Sequence, residues 1–205
     1  MTRVVFQDKI SAANLAVVVD VCNRLKIHPN WLMGVMNFES GLRPSALNDV
    51  SGSVGLIQFT RDKKGVDYKT INGRKYYLDA LRSMTFAQQM EVVYEYLKGY
   101  APKIKSFTDC YLAIFFPVAM GKPMNYVLET ANLSASLIAR QNPIFDTNKD
   151  AKITKTEVLD FFKNRYTEVF DELNVGGSKS LYKIVAYVVG VFFYSGFAVW
   201  SVNNL

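Results

Sequence analysis

The stretch MNFESGLRPSALNDVSGSVGLIQFT, residues 36–60, ends an apolar helical run on a single carboxylate, Glu39, and continues in a loop rich in Gly, Ser, Pro and Asn. Just upstream, Trp31, Leu32, Val35 and Met36 recur at the three- and four-residue spacing that lines one face of a helix. Glu39 stands four residues after Val35 and three after Met36, so it projects from that same face. Desolvation there disfavours the charged form and raises the pKa, which is what a general acid working near neutral pH requires. The alternative is a glutamate that pairs with Arg43 or turns to water at the helix end.

Outward from this stretch the punctuation is regular. Ser11 reads as the N-cap of a helix to about Leu25, Pro29 as the first residue of the helix that carries Glu39, and Gly41 as its end. Asn72-Gly73, between two Tyr-containing arms, signals a β-hairpin. Helical spacing returns in TFAQQMEVVYEYL from Thr85 and again from Thr108 to Met120, where Pro117 should bend or end the run. Further helices are expected at Tyr126 to Arg140 and at about Thr156 to Leu173. The fold class is mainly α, a helical domain with one small hairpin.

The totals remove several chemistries. The chain has 205 residues, half of them apolar, enough to bury a substantial core. His28 is the single histidine, and Cys22 and Cys110 are the two cysteines. A zinc site of several His and Cys ligands, a serine triad and a disulfide framework all lack their parts. A net charge of +6 suits an anionic partner such as nucleic acid, a membrane surface or a bacterial cell wall, and equally a plain solvated basic surface. No block of five or more Lys and Arg points to nucleic acid. The N-terminus, interrupted by Asp8 and Lys9, does not read as a secretory signal.

At the other end, residues 184–202, IVAYVVGVFFYSGFAVWSV, carry no charge and reach just far enough to cross a hydrocarbon layer of about 30 Å. They read as a membrane segment or as a buried C-terminal helix. Lys179 and Lys183 lie just before them, which by the positive-inside rule would leave the preceding domain on the cytoplasmic face.

Glu39 and Ser40, then Pro44, Ala46, Asn48, Ser51, Gly52 and the element Gly55 to Phe59, GLIQF, together resemble the lysozyme-like lytic transglycosylases that cleave peptidoglycan. The resemblance covers about residues 15–125 and looks closest to their phage-associated branch. It implies a lysozyme-like α+β fold in which the Glu-Ser pair ends a helix, the Gly-Leu-x-Gln element closes the glycan cleft, and Glu39 is the sole acid and base. Glu39 would protonate the oxygen between N-acetylmuramic acid and N-acetylglucosamine, and its carboxylate would then take the proton of the sugar's own 6-hydroxyl, closing a 1,6-anhydro ring.

A hydrolytic lysozyme would want a second carboxylate, and Asp49 and Asp62 are the nearest candidates. Ser40, Ser53 and Gln58 are candidates for contacting the sugar, though Ser53 and Gln58 would equally satisfy backbone groups. One departure stands out: where many relatives carry Ala-Tyr-Asn-Ala-Gly, this chain has Ile114, Phe115, Phe116, Pro117 and Val118. The tyrosine that often holds the glutamate is thus Phe115, and Tyr111, one helical turn earlier, is either its replacement or a core residue.

A second pattern, DTNKDAKITKTE from Asp146 to Glu157, resembles an EF-hand calcium loop. Asp146, Asn148, Asp150 and Glu157 would offer side-chain oxygens, Lys152 its carbonyl and Thr154 a direct or water-mediated contact, with Ile153 at the apolar eighth position. Ala151 stands where Gly is expected. The alternative is a capping box between Thr154 and Glu157 with ordinary turns before it.

These readings divide the chain into a transglycosylase-like domain at 1–143, a helix-loop-helix at 144–175, and a linker with its apolar segment at 176–205. Peptidoglycan strands are the expected partner, calcium a structural cofactor, and the bacterial wall the place of action, with a virion or a membrane as the route to it. The rival of another class is a non-catalytic protein that keeps the fold for glycan binding or as a virion or membrane component.

Overall fold

The computed structural model describes residues 3–170; the apolar run at 184–202 lies outside the described residues. Ser11 caps α1 (Ala12–Leu25) by accepting the Asn14 N–H at 3.2 Å, as its place before the apolar repeat predicts. Pro29 opens α2 (Pro29–Ser40), where its missing N–H has no intrahelical partner to lose. Gly41, at φ +61, closes that helix, and the Leu42 N–H reaches back to the Met36 carbonyl. The hairpin forms as expected: β1 (Tyr68–Ile71) pairs antiparallel with β2 (Arg74–Tyr77) around Asn72 and Gly73, both at positive φ.

After the short α3 (Leu78–Ser83), α4 (Phe86–Leu97) starts from a capping box of Thr85 and Gln88. The next helix, α5 (Phe107–Phe115), stops before Pro117, as the proline predicts. The chain continues in a 3-10 turn, Pro117–Ala119.

Two helical expectations need correction. Between Tyr126 and Arg140 only α6 (Ala135–Gln141) is helical, because the backbone before it pairs across the fold. The Leu128 N–H bonds the Ile153 carbonyl at 2.8 Å and the Lys155 N–H bonds the Tyr126 carbonyl at 3.1 Å, so these groups are already taken. The last helix among the described residues, α7, spans Lys155–Arg165; it ends before Tyr166, and positions 171–173 of the expected helix lie outside the described residues. Beyond Tyr166 a 3-10 turn, Thr167–Val169, swings Val169 into the core.

The described residues are thus mostly helical with one small two-stranded sheet. Helix α2 packs against both α1 and α5, with α4 on α1 and α7 on α5. Leu32, Met33, Val35 and Met36 of α2 are fully buried, each burial being worth about 1.5–3 kcal/mol. One apolar cluster runs from Val18 and Cys22 on α1 to Phe161 and Phe162 on α7, so the segment around the expected calcium loop shares its core with the preceding helices. Both cysteines are buried free thiols within it. No helix among the described residues is long and apolar enough to cross a membrane.

Candidate functional site

Glu39 lies in the last turn of α2, with the apolar side of the helix committed to the core and its own side chain half-buried. Among the described residues its carboxyl makes no hydrogen bond and no ion pair. Arg43, the partner considered from the sequence, instead donates Nε to the Ser40 carbonyl at 3.1 Å. Burial without compensation pushes the Glu39 pKa from an ordinary 4.5 up to about 8. The field at a helix C-terminus disfavours an anion in the same sense. The result is a carboxylic acid that stays protonated at neutral pH yet keeps some surface open to a ligand.

The helix end that carries it is pinned by its neighbour. Ser40 is buried, and its hydroxyl faces two carbonyls, Met36 at 2.9 Å and Leu56 at 3.0 Å. The Gly55 to Phe59 element is thereby seated against the C-terminus of α2. Within that element the Gly55 N–H donates to Ala46 at 2.9 Å, and Val54 and Phe59 exchange backbone hydrogen bonds.

Of the other residues singled out for the sugar, Gln58 sits at φ +54 with Nε2 donating to the Gly55 carbonyl at 3.1 Å, so its amide serves its own loop. Ser53 is 1% exposed, and its hydroxyl bridges Ser51 and Thr60, each at 2.8 Å. Gln58 thus satisfies a backbone carbonyl, whereas the Ser53 hydroxyl is engaged by two side-chain hydroxyls and, among the described residues, by no backbone group.

Tyr111 is 1% exposed on α5 and stacks on Phe115 with ring centres 5.4 Å apart. Its phenol pKa is raised well above the usual value, by burial first and by the charge of Glu39 next. A second tyrosine near Glu39 escaped the sequence reading: Tyr166, at the C-cap of α7, packs 5.9 Å from Phe38 and 5.8 Å from Phe162. Its pKa is raised by burial, with Glu39 among the lesser causes. The signal available in the sequence was its spacing four residues after Phe162, on the apolar stripe of α7. Phe38, adjacent to Glu39, meets Tyr111, Phe161, Phe162 and Tyr166 edge-on at 5.0–5.9 Å, so one side of the site is an aromatic wall built from α2, α5 and α7.

Neither candidate for a second carboxylate joins Glu39. Asp62 is turned to the hairpin, 3.4 Å from Lys69 Nζ and accepting the Thr70 N–H at 2.9 Å. Asp49 is exposed in a turn where Asn48 Oδ1 accepts the Val50 and Ser51 N–H groups.

No family model, curated protein or solved structure matches this chain. The site therefore has to be read from its own chemistry.

In the loop at 146–157, Asp146, Asn148 and Asp150 turn inward onto loop amides. Asp146 accepts the Asp150 and Ala151 N–H groups, Asn148 the Asp150 N–H, and Asp150 the Lys152 N–H, all at 2.9–3.1 Å. Thr154 and Glu157 form the capping box of α7, with Glu157 Oε2 2.9 Å from both the Thr154 N–H and its hydroxyl. Ala151 adopts φ +62, the left-handed conformation that favours glycine. Among the described residues no three His, Cys, Asp or Glu side chains stand together closely enough to hold an ion.

Proposed function

We propose that the protein is a peptidoglycan lytic transglycosylase of lysozyme-like fold, with Glu39 as its single general acid and base. The observation that carries this reading is the state of Glu39: a half-buried, unpaired carboxyl at a helix end, held protonated up to about pH 8 by desolvation alone. Such a group gives a proton to a leaving glycosidic oxygen at neutral pH. The carboxylate it leaves is a strong enough base to take back a proton from the 6-hydroxyl of the same sugar.

Among the described residues neither Asp49 nor Asp62 stands with it to activate water or to attack the sugar, which favours ring closure over hydrolysis. The aromatic wall of Phe38, Tyr111 and Tyr166 keeps the acid dry, and Tyr111 and Tyr166 supply the phenols that Phe115 cannot. Ser40 and the Gly55 to Phe59 element, largely buried, would brace the end of α2 beneath the glycan. The site of action on this reading is the bacterial wall, reached from a virion or through a membrane.

The loop at 146–157 fits calcium by its donor set. Asp146, Asn148, Asp150 and Glu157 offer hard oxygens, Lys152 its carbonyl and Thr154 its hydroxyl, and Ala151 already has the backbone turn that the sixth position needs. The ion would tie the loop to the N-terminus of α7, with Glu157 released from its capping role. Because α7 ends on Tyr166, that tie would also steady one wall of the Glu39 site.

The test is mass spectrometry of purified peptidoglycan digested by the whole chain and by its Glu39→Gln variant. Products ending in 1,6-anhydro-muramic acid from the unmutated protein alone are expected. Reducing ends would make the enzyme a hydrolytic lysozyme, and no release by either protein would leave a glycan-binding protein without catalysis.

A further inference from the structure

The α4 helix, packed on α1, carries one buried polar residue, Gln89, that reaches the loops after α2. Gln89 is 0% exposed, and its carboxamide makes three hydrogen bonds to three separate segments. Oε1 accepts the Leu56 N–H at 2.5 Å, while Nε2 donates to the Pro44 carbonyl at 3.0 Å and to the Leu81 carbonyl at 2.7 Å. Gly55 leaves room for it: at φ +79, a Cβ there would stand 2.5 Å from Oε1.

A relay follows from these contacts. Gln89 fixes the Leu56 peptide by its N–H, the carbonyl of Leu56 faces the Ser40 hydroxyl at 3.0 Å, and Ser40 is the residue next to Glu39. Through Pro44 the same amide holds the loop that leaves α2. An amide is the one side chain that offers an acceptor and two donors here, so neither an acid nor an apolar residue reproduces the set.

We propose that Gln89 is a positioning residue for Glu39, its single carboxamide locking the Pro44 and Leu56 backbones on either side of the α2 C-terminus and so fixing how far the acid is shielded from water. The proposal rests on the reading of Glu39 as the reacting acid. It assigns to α4 a role in the chemistry that none of its exposed residues has.

Without the amide, the Leu56 N–H and the Pro44 carbonyl lose this partner and recruit water, which loosens the packing beside Ser40, while the Leu81 carbonyl keeps the Met84 N–H. Glu39 then becomes better solvated and titrates lower, and it is less often protonated at neutral pH.

The experiment uses the whole chain with Gln89→Met, which keeps the shape and removes every hydrogen bond, beside Gln89→Asn and Gln89→Glu. Two readouts are taken on protein shown to be folded at the assay temperature. One is kcat and KM on purified peptidoglycan across pH. The other is the titration of the Glu39 side-chain carboxyl carbon in 13C-glutamate-labelled protein, assigned by its loss in Glu39→Gln.

The expected result is a ten- to hundredfold lower kcat for Gln89→Met at pH 7 with KM within twofold. The Glu39 titration and the high-pH limb of activity should both move downward from about 8. Gln89→Glu should recover activity relative to the unmutated protein as the pH falls and its new carboxyl becomes a donor.

A folded Gln89→Met with unchanged kcat and an unchanged Glu39 titration overturns the proposal. If the methionine variant does not fold, the asparagine and glutamate variants decide by the same two readouts. If the unmutated protein does not cleave, the reading of Glu39 as a catalytic acid has failed, and the carboxyl titration alone decides whether Gln89 positions Glu39.

Discussion

Replacing Glu39 by Gln should make the protein more stable, and by an amount that grows with pH. In the folded chain the carboxyl titrates at about 8 against an ordinary 4.5, so between those values the native state holds a proton that the unfolded state has lost. Stability contributed by the protonated carboxyl is therefore fully present below about pH 4.5 and is lost as the pH rises toward 8. At 1.36 kcal/mol for each pH unit, the full loss is about 5 kcal/mol, comparable to the whole stability of a marginal domain.

Glutamine has nearly the same shape and never ionises, so its variant escapes that loss. Urea unfolding of the whole chain and of Glu39→Gln should show a gap in favour of the variant of about 1 kcal/mol at pH 5, about 3 at pH 7 and about 5 at pH 9. A gap that stays constant across these three pH values would mean that Glu39 titrates at its ordinary value, and the reasoning about a desolvated acid would be refuted. Stability gained by removing the acid is the usual sign of a group kept for function at the expense of the fold.

On the proposed mechanism Tyr111→Phe removes a phenol that would donate to the Glu39 carboxylate left after proton transfer, a hydrogen bond absent from the resting site, and should lower cleavage about tenfold, about 1.4 kcal/mol, with KM unchanged; Tyr166→Phe should act in the same direction. Steady-state kinetics on peptidoglycan checks both, and full activity of the two together would remove the aromatic wall from the mechanism. Gly34→Ala places a methyl 2.8 Å from Val169 Cγ2 and 3.0 Å from Phe107 Cε2, so it should cost about 1–3 kcal/mol in urea unfolding by forcing α2 from α5 and from the turn after α7. Calcium at a hundred times its dissociation constant should stabilise the protein by about 2.7 kcal/mol and raise its melting temperature, and Asp146→Ala should abolish the rise. An equal melting temperature with calcium, magnesium or chelator would leave the loop as turns and a helix cap only.

Local chemistry wrote most of the helix boundaries into the sequence. Ser11, Pro29, Gly41, Thr85 and the Asn72-Gly73 pair each act through their own dihedrals or side-chain hydrogen bonds, which need no distant partner, and each stands where its chemistry predicts. The same holds for Glu39 at the end of α2, because helical spacing alone aims it along the apolar face.

Elements that depend on partners far along the chain were not legible. The Tyr126 to Leu128 segment has helical composition but spends its backbone on Ile153 and Lys155, more than twenty residues away, so tertiary pairing overrode propensity. Tyr166 reaches Glu39 only because α7 folds back across Phe38, and Gln89 gains its meaning only when Pro44, Leu56 and Leu81 converge on it. The sequence by itself thus determined where the acid stands on its helix and which types of residue surround it. Only the tertiary structure decided that the acid has no partner among the described residues, and burial without compensation, a property of everything packed around a group and not of its neighbours in sequence, is what sets its proton affinity.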